Sequence, residues 1–235
     1  QKMPDIKCSI PNAITCLNLL SGCAAIVLAF HAYDRLGPLY GLEWCFIAIG
    51  CAAIFDFCDG ASARALGAYS QIGKDLDSLS DLISFGVAPA MLVVNVMLHY
   101  SSLTALCYTP LLLAAFGAMR LAKFNNDPEQ TSEFRGLPIP ANAIFWIGVV
   151  AWIEKYAYPG TPVLILLIGL MCAAMVGNFR MFSLKFKNFN LRENFRRYML
   201  LAAAALFVVC YGLSGLAWSI LLYFLLSLHR RNYPV

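Results

Sequence analysis

The sequence is short of charged residues. Asp, Glu, Lys and Arg make up 13% of its 235 residues and hydrophobic residues make up 60%, whereas a soluble domain carries about 25% charged residues. This composition argues against a soluble domain. It predicts an all-α polytopic membrane protein, because helices satisfy their own backbone polar groups in lipid. A spanning helix needs about 20 apolar residues, and eight candidate segments can be recognised. They cover roughly residues 10–30, 40–60, 78–99, 102–124, 140–156, 161–182, 197–212 and 214–229.

The sequence also lacks a linker, a low-complexity tract and a clear internal repeat. We therefore expect a single transmembrane domain over residues 1–235, with no separate soluble domain. The first apolar segment has no clear small-residue cleavage site, so we interpret it as a retained helix and not as a signal peptide. Asn12 and Thr15 lie near its start, and we expect them to cap the helix in preference to contacting a ligand.

Cysteine and histidine form no metal-binding pattern. The nine cysteines include no C-x-x-C pair, and most lie in apolar segments, where a free Cys behaves as a small hydrophobic residue. His31, His99 and His229 are far apart and lie near predicted helix ends. Neither a zinc site nor a disulfide framework is expected.

Lys and Arg are distributed unevenly over the connecting segments. With eight spans and the N-terminus inside, 15 of the 17 basic residues lie in cytoplasmic segments, and only Arg35 and Lys155 lie outside. Cytoplasmic loops of membrane proteins carry an excess of Lys and Arg. The distribution therefore predicts an inner-membrane protein with both termini and residues 56–81 on the cytoplasmic side. Membrane lipid is an expected partner, because such a basic belt attracts anionic headgroups. Nucleic acid is not an expected partner.

Four aspartates lie at fixed spacings near the cytoplasmic ends of the second and third segments. The pattern is Asp56-x2-Asp59-Gly60-x2-Ala63-Arg64-x8-Gly73-x3-Asp77-x3-Asp81. Asp56 and Asp59 are three residues apart, and Asp77 and Asp81 are four apart, so each pair projects from one face of a helix. A carboxylate at membrane depth costs about 2.5–3.5 kcal/mol even on the lenient insertion scale. Four of them need a compensating partner, and ligands that are all oxygen favour Mg²⁺ or Mn²⁺.

Hard cations held by carboxylates at a membrane surface suggest phosphate chemistry. A pair of such ions can clamp a diphosphate and neutralise its charge. Gly60 and Ala63 would let a bulky ligand approach the helix backbone, and Arg64 can offer a bidentate contact to phosphate. Gly73 would let the third helix or its preceding loop pack close to the same ligand.

The string from Asp56 to Asp81 resembles the full signature of the CDP-alcohol phosphotransferase family, with each element and both gaps matched. The resemblance implies a six-helix core, which the eight segments exceed by two, and an enzyme that is commonly a homodimer. It implies that Asp56, Asp59 and Asp77 bind divalent metals, two in number, and the nucleotide diphosphate. It makes Asp81 the general base and a further metal ligand. Lining of the CDP site is implied for Gly60, Ala63, Arg64 and Gly73.

The signature leaves the acceptor alcohol open, since serine, glycerol 3-phosphate, inositol phosphate and choline-type alcohols are all used in the family. MRLAKFN (119–125), FRGLPIPANA (134–143) and SDLISFGVAPA (80–90) resemble the integral-membrane phosphatidylserine synthase branch. That resemblance implies CDP-diacylglycerol and L-serine as substrates and phosphatidylserine and CMP as products. The candidates for positioning serine or a phosphate are Arg120, Asn125 and Arg135.

Two alternatives stay open. Another enzyme of the same family would use the same aspartates with glycerol 3-phosphate or inositol phosphate. A cation transporter with an acidic site is less favoured, because such a function would not explain why Gly60, Ala63, Arg64 and Gly73 accompany the aspartates.

Overall fold

A computed structural model describes residues 6–126, 134–178, 180–181 and 194–228. For residues 6–8, 134–135, 180 and 228 the description covers the backbone alone. The chain divides into two compact units, Gln1–Leu121 and Ala122–Val235. The single catalytic domain expected from the sequence stays a prediction.

The first unit begins with two long helices joined by a hairpin. Helix α1 spans Ile6–Phe30 and helix α2 spans Gly41–Leu66. Between them, strands β1 (Arg35–Leu36) and β2 (Leu39–Tyr40) pair antiparallel. This tight connection lets α2 return along α1, and the two form the most extensive helix contact in the unit.

The next helical segment of this unit contains a wide turn. Helix α3 (Gln71–Asp81) continues through a six-residue π-helical turn, Leu82–Val87, into α4 (Ala88–Tyr100). Such π turns are rare and occur frequently at functional sites. A 3₁₀ turn at Thr104–Tyr108 then leads to α5 (Leu111–Asn126).

The connection from α2 to α3 is defined by a cap on each side. Gly67 ends α2 in the left-handed region, at φ +61°, where a residue without Cβ is favoured. Ser70 begins α3, and its Oγ accepts a hydrogen bond from the N–H of Gly73 at 3.0 Å. These caps carry α2 past its predicted end near residue 60 and start α3 before the predicted residue 78.

Helix α1 is the packing centre of the first unit. It contacts α2, α3, the π turn and α4, whereas direct contact between α2 and α3 is slight. The approach of α1 to the π turn is close, because a Cβ added at Gly22 would lie 2.7 Å from Cα of Ser84. Small residues permit such approaches between membrane helices. The two helices that carry the aspartates are therefore held by a third helix more than by each other.

The second unit is a separate helical assembly. Its remaining elements are β3 (Phe134–Arg135), α6 (Ile139–Lys155), α7 (Thr161–Val176), β4 (Arg180–Met181), α8 (Phe195–Tyr211) and α9 (Gly215–Leu228). Strands β3 and β4 pair antiparallel, and α9 packs against both α6 and α8. The core of this unit includes the fully buried Trp146 and Phe145 of α6.

Five segments in the described part of the chain are long and apolar enough to cross a membrane. They are Ser9–Phe30, Gly41–Leu66, Gln71–Tyr100, Thr104–Asn126 and Phe195–Ser227. The all-α membrane class is thus confirmed, whereas the count of eight spans is not. Helices α6 and α7 have only 17 and 16 residues. The stretch Phe195–Ser227 contains two helices, α8 and α9, which have 17 and 14 residues and pack against each other.

Candidate active site

Helices α2 and α3 bring three carboxylates together. Asp56, Asp59 and Asp77 each offer one oxygen, and these oxygens all lie within 4.8 Å of one another. Asp59 is only 5% exposed, and the other two are half-buried. All three lie within regular helical turns, so the helix backbone fixes the direction of each side chain. We call Asp56, Asp59 and Asp77 the carboxylate cluster.

The carboxylate cluster fits a divalent cation. Oδ2 of Asp59 is buried and has no hydrogen-bond partner among the described residues, and buried polar atoms without partners are uncommon in native proteins. Three carboxylates without His or Cys are the donor set of a hard ion such as Mg²⁺ or Mn²⁺.

Asp81 lies beside the carboxylate cluster but is not one of its three members. Its Oδ1 accepts a hydrogen bond from Nδ2 of Asn18 at 3.4 Å. Asp81 is near enough to Asp56, Asp77 and Asp59 to interact with them electrostatically, so four carboxylates share one region. Asp81 is also the last residue of α3, immediately before the π turn. The structure therefore gives Asp81 a partner of its own within the acidic region.

A fifth aspartate of this segment lies outside the arrangement. Asp75 is exposed, and its Oδ1 accepts a hydrogen bond from Nε2 of Gln71 at 3.1 Å, one turn earlier on the same helix. Asp75 is also not part of the spaced pattern that runs from Asp56 to Asp81.

Arg64 lies on the last turn of α2, next to the carboxylate cluster along the helix. It is exposed, and its guanidinium folds back over Gly60, since a Cβ added at Gly60 would be 3.4 Å from Nη1 of Arg64. The guanidinium therefore lies against the helix surface at Gly60, the residue that follows Asp59. Ala63, also predicted for this region, is half-buried on the same turn of α2.

Gly73 packs against α1. A Cβ added at this position would lie 3.0 Å from Oγ of Ser70 and 3.1 Å from Oδ1 of Asn12. The missing side chain therefore permits both the cap of α3 and the approach of α1. The CDP contacts expected for Gly60, Ala63, Arg64 and Gly73 stay predictions.

Helix α1 carries a polar face that the sequence analysis did not assign to the site. Asn12, Thr15 and Asn18 are spaced by three residues and share one side of the helix. Thr15 is 3% exposed and Asn18 is 0% exposed. The expectation that Asn12 and Thr15 cap the helix is wrong, because α1 begins at Ile6 and both lie in its interior. The signal that could have found this face is the recurrence of polar residues every three positions in an apolar span.

The residues predicted to position serine or a phosphate lie farther along the chain. Arg120 is 7% exposed in the second half of α5. Asn125 is half-buried in the last turn of α5. Arg135 belongs to β3, and its side chain lies outside the described part of the chain. The roles of all three stay predictions.

Comparison with known proteins agrees with the signature at this site. Residues 8–177 match the CDP-alcohol phosphatidyltransferase family. The chain is 36% identical over 163 residues to the CDP-diacylglycerol–serine O-phosphatidyltransferase of Methanocaldococcus jannaschii, covering 69% of this chain and 70% of that protein. It is 36% identical over 135 residues to the enzyme of the same name from Bacillus subtilis, covering 56% and 69%. It is 35% identical over 138 residues to the archaetidylserine synthase of Methanothermobacter thermautotrophicus, covering 58% and 55%. The matched region includes all four aspartates of the pattern, and the chain belongs to the CDP-alcohol phosphatidyltransferase family.

Proposed function

We propose that the protein transfers the phosphatidyl group of CDP-diacylglycerol to the hydroxyl of L-serine, giving phosphatidylserine and CMP. The observation that carries this proposal is the carboxylate cluster, whose three oxygens lie within 4.8 Å of one another beside Asp81. The acceptor is supported by relatives that are named CDP-diacylglycerol–serine O-phosphatidyltransferase.

Asp56, Asp59 and Asp77 would hold divalent cations, Mg²⁺ or Mn²⁺ and two in number, with Asp81 as a further ligand. When bound, such ions neutralise the charge of a diphosphate and favour departure of the leaving phosphate. The buried Oδ2 of Asp59, which has no hydrogen-bond partner in the described part of the chain, supports this assignment.

The protein's own residues act on the two reactants. Asp81 takes the proton from the serine hydroxyl, and the hydroxyl oxygen forms a bond to the phosphorus that carries the diacylglycerol. The bond from that phosphorus to the bridging oxygen of the diphosphate breaks, and CMP leaves with this oxygen. The guanidinium of Arg64 binds the phosphates. The small residues Gly60, Ala63 and Gly73 let the CDP group approach the helix backbone closely.

The serine site draws on the other candidate residues. Arg120 and Arg135 supply positive charge for the serine carboxylate or for a phosphate, and Asn125 supplies an amide.

The placement in the membrane follows the distribution of basic residues. The protein crosses the inner membrane eight times, as a six-helix core plus two further helices within one catalytic domain, and it forms a homodimer. Both termini and the acidic site lie on the cytoplasmic side. This side suits a reaction that takes a lipid donor from the bilayer and a water-soluble acceptor from the cytosol.

An acceptor screen tests the function. The purified protein receives CDP-diacylglycerol with L-serine, glycerol 3-phosphate or inositol phosphate, and CMP release is measured. Serine should support release, and the phosphorylated alcohols should not. Release with glycerol 3-phosphate alone would assign the other branch of the family. Ion flux in proteoliposomes without any CMP would instead indicate a transporter.

A further inference from the structure

The polar face of α1 ends in a residue that the proposed reaction does not use. Asn18 is 0% exposed. Its Nδ2 donates to Oδ1 of Asp81 at 3.4 Å across 63 residues of sequence. Its other side-chain atom, Oδ1, is buried and has no hydrogen-bond partner among the described residues. One end of the amide is therefore engaged with Asp81 and the other end offers an unused acceptor.

Asn18 cannot easily move away from this position. On one side, Oγ of Ser80 donates to the carbonyl of Thr15 at 3.2 Å. On the other side, Oγ of Ser84 donates to the carbonyl of Asn18 itself at 2.9 Å. These bonds, together with the close approach of Gly22 to Ser84, fix the register of α1 against α3 and the π turn. The unused carbonyl oxygen is held in place by the surrounding fold.

A buried hydrogen-bond acceptor without a donor costs free energy. A ligand that donates a hydrogen bond to this acceptor therefore gains binding free energy. The acceptor alcohol brings its hydroxyl to Asp81 in the proposed reaction. In serine the ammonium is only two carbon atoms from that hydroxyl, so it comes close to any group bonded to Asp81. A phosphorylated alcohol has no cation at this distance, and its anionic oxygens would meet the carbonyl oxygen unfavourably.

We propose that Asn18 binds the acceptor through its ammonium group. The carbonyl oxygen of Asn18 accepts a hydrogen bond from the ammonium, while its amide N–H orients the carboxylate of Asp81. This inference rests on the proposed function. It assigns selectivity for an amino alcohol to a residue of the first helix.

The test compares two acceptors that differ only in the ammonium. 3-Hydroxypropionate keeps the hydroxyl and carboxylate of serine and lacks the amine. For wild type and Asn18→Leu, kcat/KM is measured with each compound, and the inhibition constant of 3-hydroxypropionate against serine reports its binding even without turnover. The preference for serine should fall about 10- to 100-fold in Asn18→Leu, as expected for loss of a hydrogen bond to a charged group. The KM for CDP-diacylglycerol should not change.

Two further variants separate recognition from folding. Ser84→Ala removes a hydrogen bond of the same helix contact without touching the acceptor, so its preference for serine should equal that of wild type. Asn18→Asp keeps an acceptor oxygen and adds negative charge, so the preference should persist or rise while kcat falls. If Asn18→Leu does not fold, Asn18→Ala, which also removes the carbonyl oxygen, takes its place.

The outcomes distinguish the two proposals. A wild type that releases no CMP with serine would overturn the proposed function. A wild type that uses serine, with an unchanged preference in Asn18→Leu, or in Asn18→Ala where that variant replaces it, would overturn only the role of Asn18. Equal losses with both acceptors would reduce Asn18 to an orienting or packing residue and would also overturn the ammonium contact.

Discussion

At the scale of single residues, the acidic site separates three clustered carboxylates from a fourth that has its own hydrogen-bond partner. Asp81 lies outside the carboxylate cluster and is held by Asn18. A positioned general base contributes about 10²- to 10⁴-fold to a rate. We therefore expect Asp81→Asn to lower single-turnover CMP release by about 10²-fold or more, with binding of CDP-diacylglycerol largely retained.

Asp75→Asn is the matched control for that variant. It removes a carboxylate from the same helix, but one that is exposed and bonded to Gln71. Its turnover should stay close to that of wild type. Near-normal turnover of Asp81→Asn, or an equal loss in Asp75→Asn, would contradict the assignment of the base.

At the scale of elements, helix α1 determines whether α2 and α3 present their aspartates to each other. A Cβ at Gly22 would lie 2.7 Å from the backbone of Ser84, so Gly22→Ala must push α1 away from the π turn. Overpacking of this kind costs about 1–3 kcal/mol. We expect a lower thermal midpoint in detergent and a larger fall in kcat than in substrate binding, because Asn18 moves with α1.

Gly50→Ala on α2 serves as the comparison. No atom lies within 4 Å of a Cβ added there, and Ala is a better helix former than Gly by about 0.8–1.0 kcal/mol. Its thermal midpoint should be unchanged or higher. Equal behaviour of the two glycine variants would show that the contact between α1 and the π turn is unimportant.

The elements also show which parts of the site could be predicted from the sequence. The shared face of Asp56 and Asp59 follows from their spacing of three residues, which is a local property. The approach of Asp77 to them depends on α1, which packs against both α2 and α3. The role of α1 depends on packing between residues 60 or more positions apart, such as Asn18 and Asp81, and no local spacing encodes it. The π turn after Asp81 likewise appears only in the folded chain.

At the scale of the whole molecule, the basic residues predict which side of the membrane holds the acidic site. Alkaline phosphatase becomes active only in an oxidising compartment, where its disulfides form. Inserted at Gly37, an exposed hairpin position with no atom within 4 Å of an added Cβ, it should be active in a bacterial host. Fused to the C-terminus, it should be inactive. The reverse pattern would place the site on the outer side.

Repulsion between the carboxylates of the acidic site lowers the stability of the whole folded protein. Two unit charges 4.8 Å apart repel by about 3 kcal/mol at an effective dielectric constant of about 20. EDTA should therefore abolish turnover and lower the thermal midpoint, and Mg²⁺ or Mn²⁺ should restore both, because a ligand of the folded state stabilises it.

In EDTA, Asp77→Asn relieves the repulsion and should melt above wild type, by about 2–4 °C per kcal/mol. With the metal present the order should reverse, since the variant has lost a ligand. A variant that melts below wild type under both conditions would show that Asp77 acts in packing and that the carboxylate cluster is not a cation site.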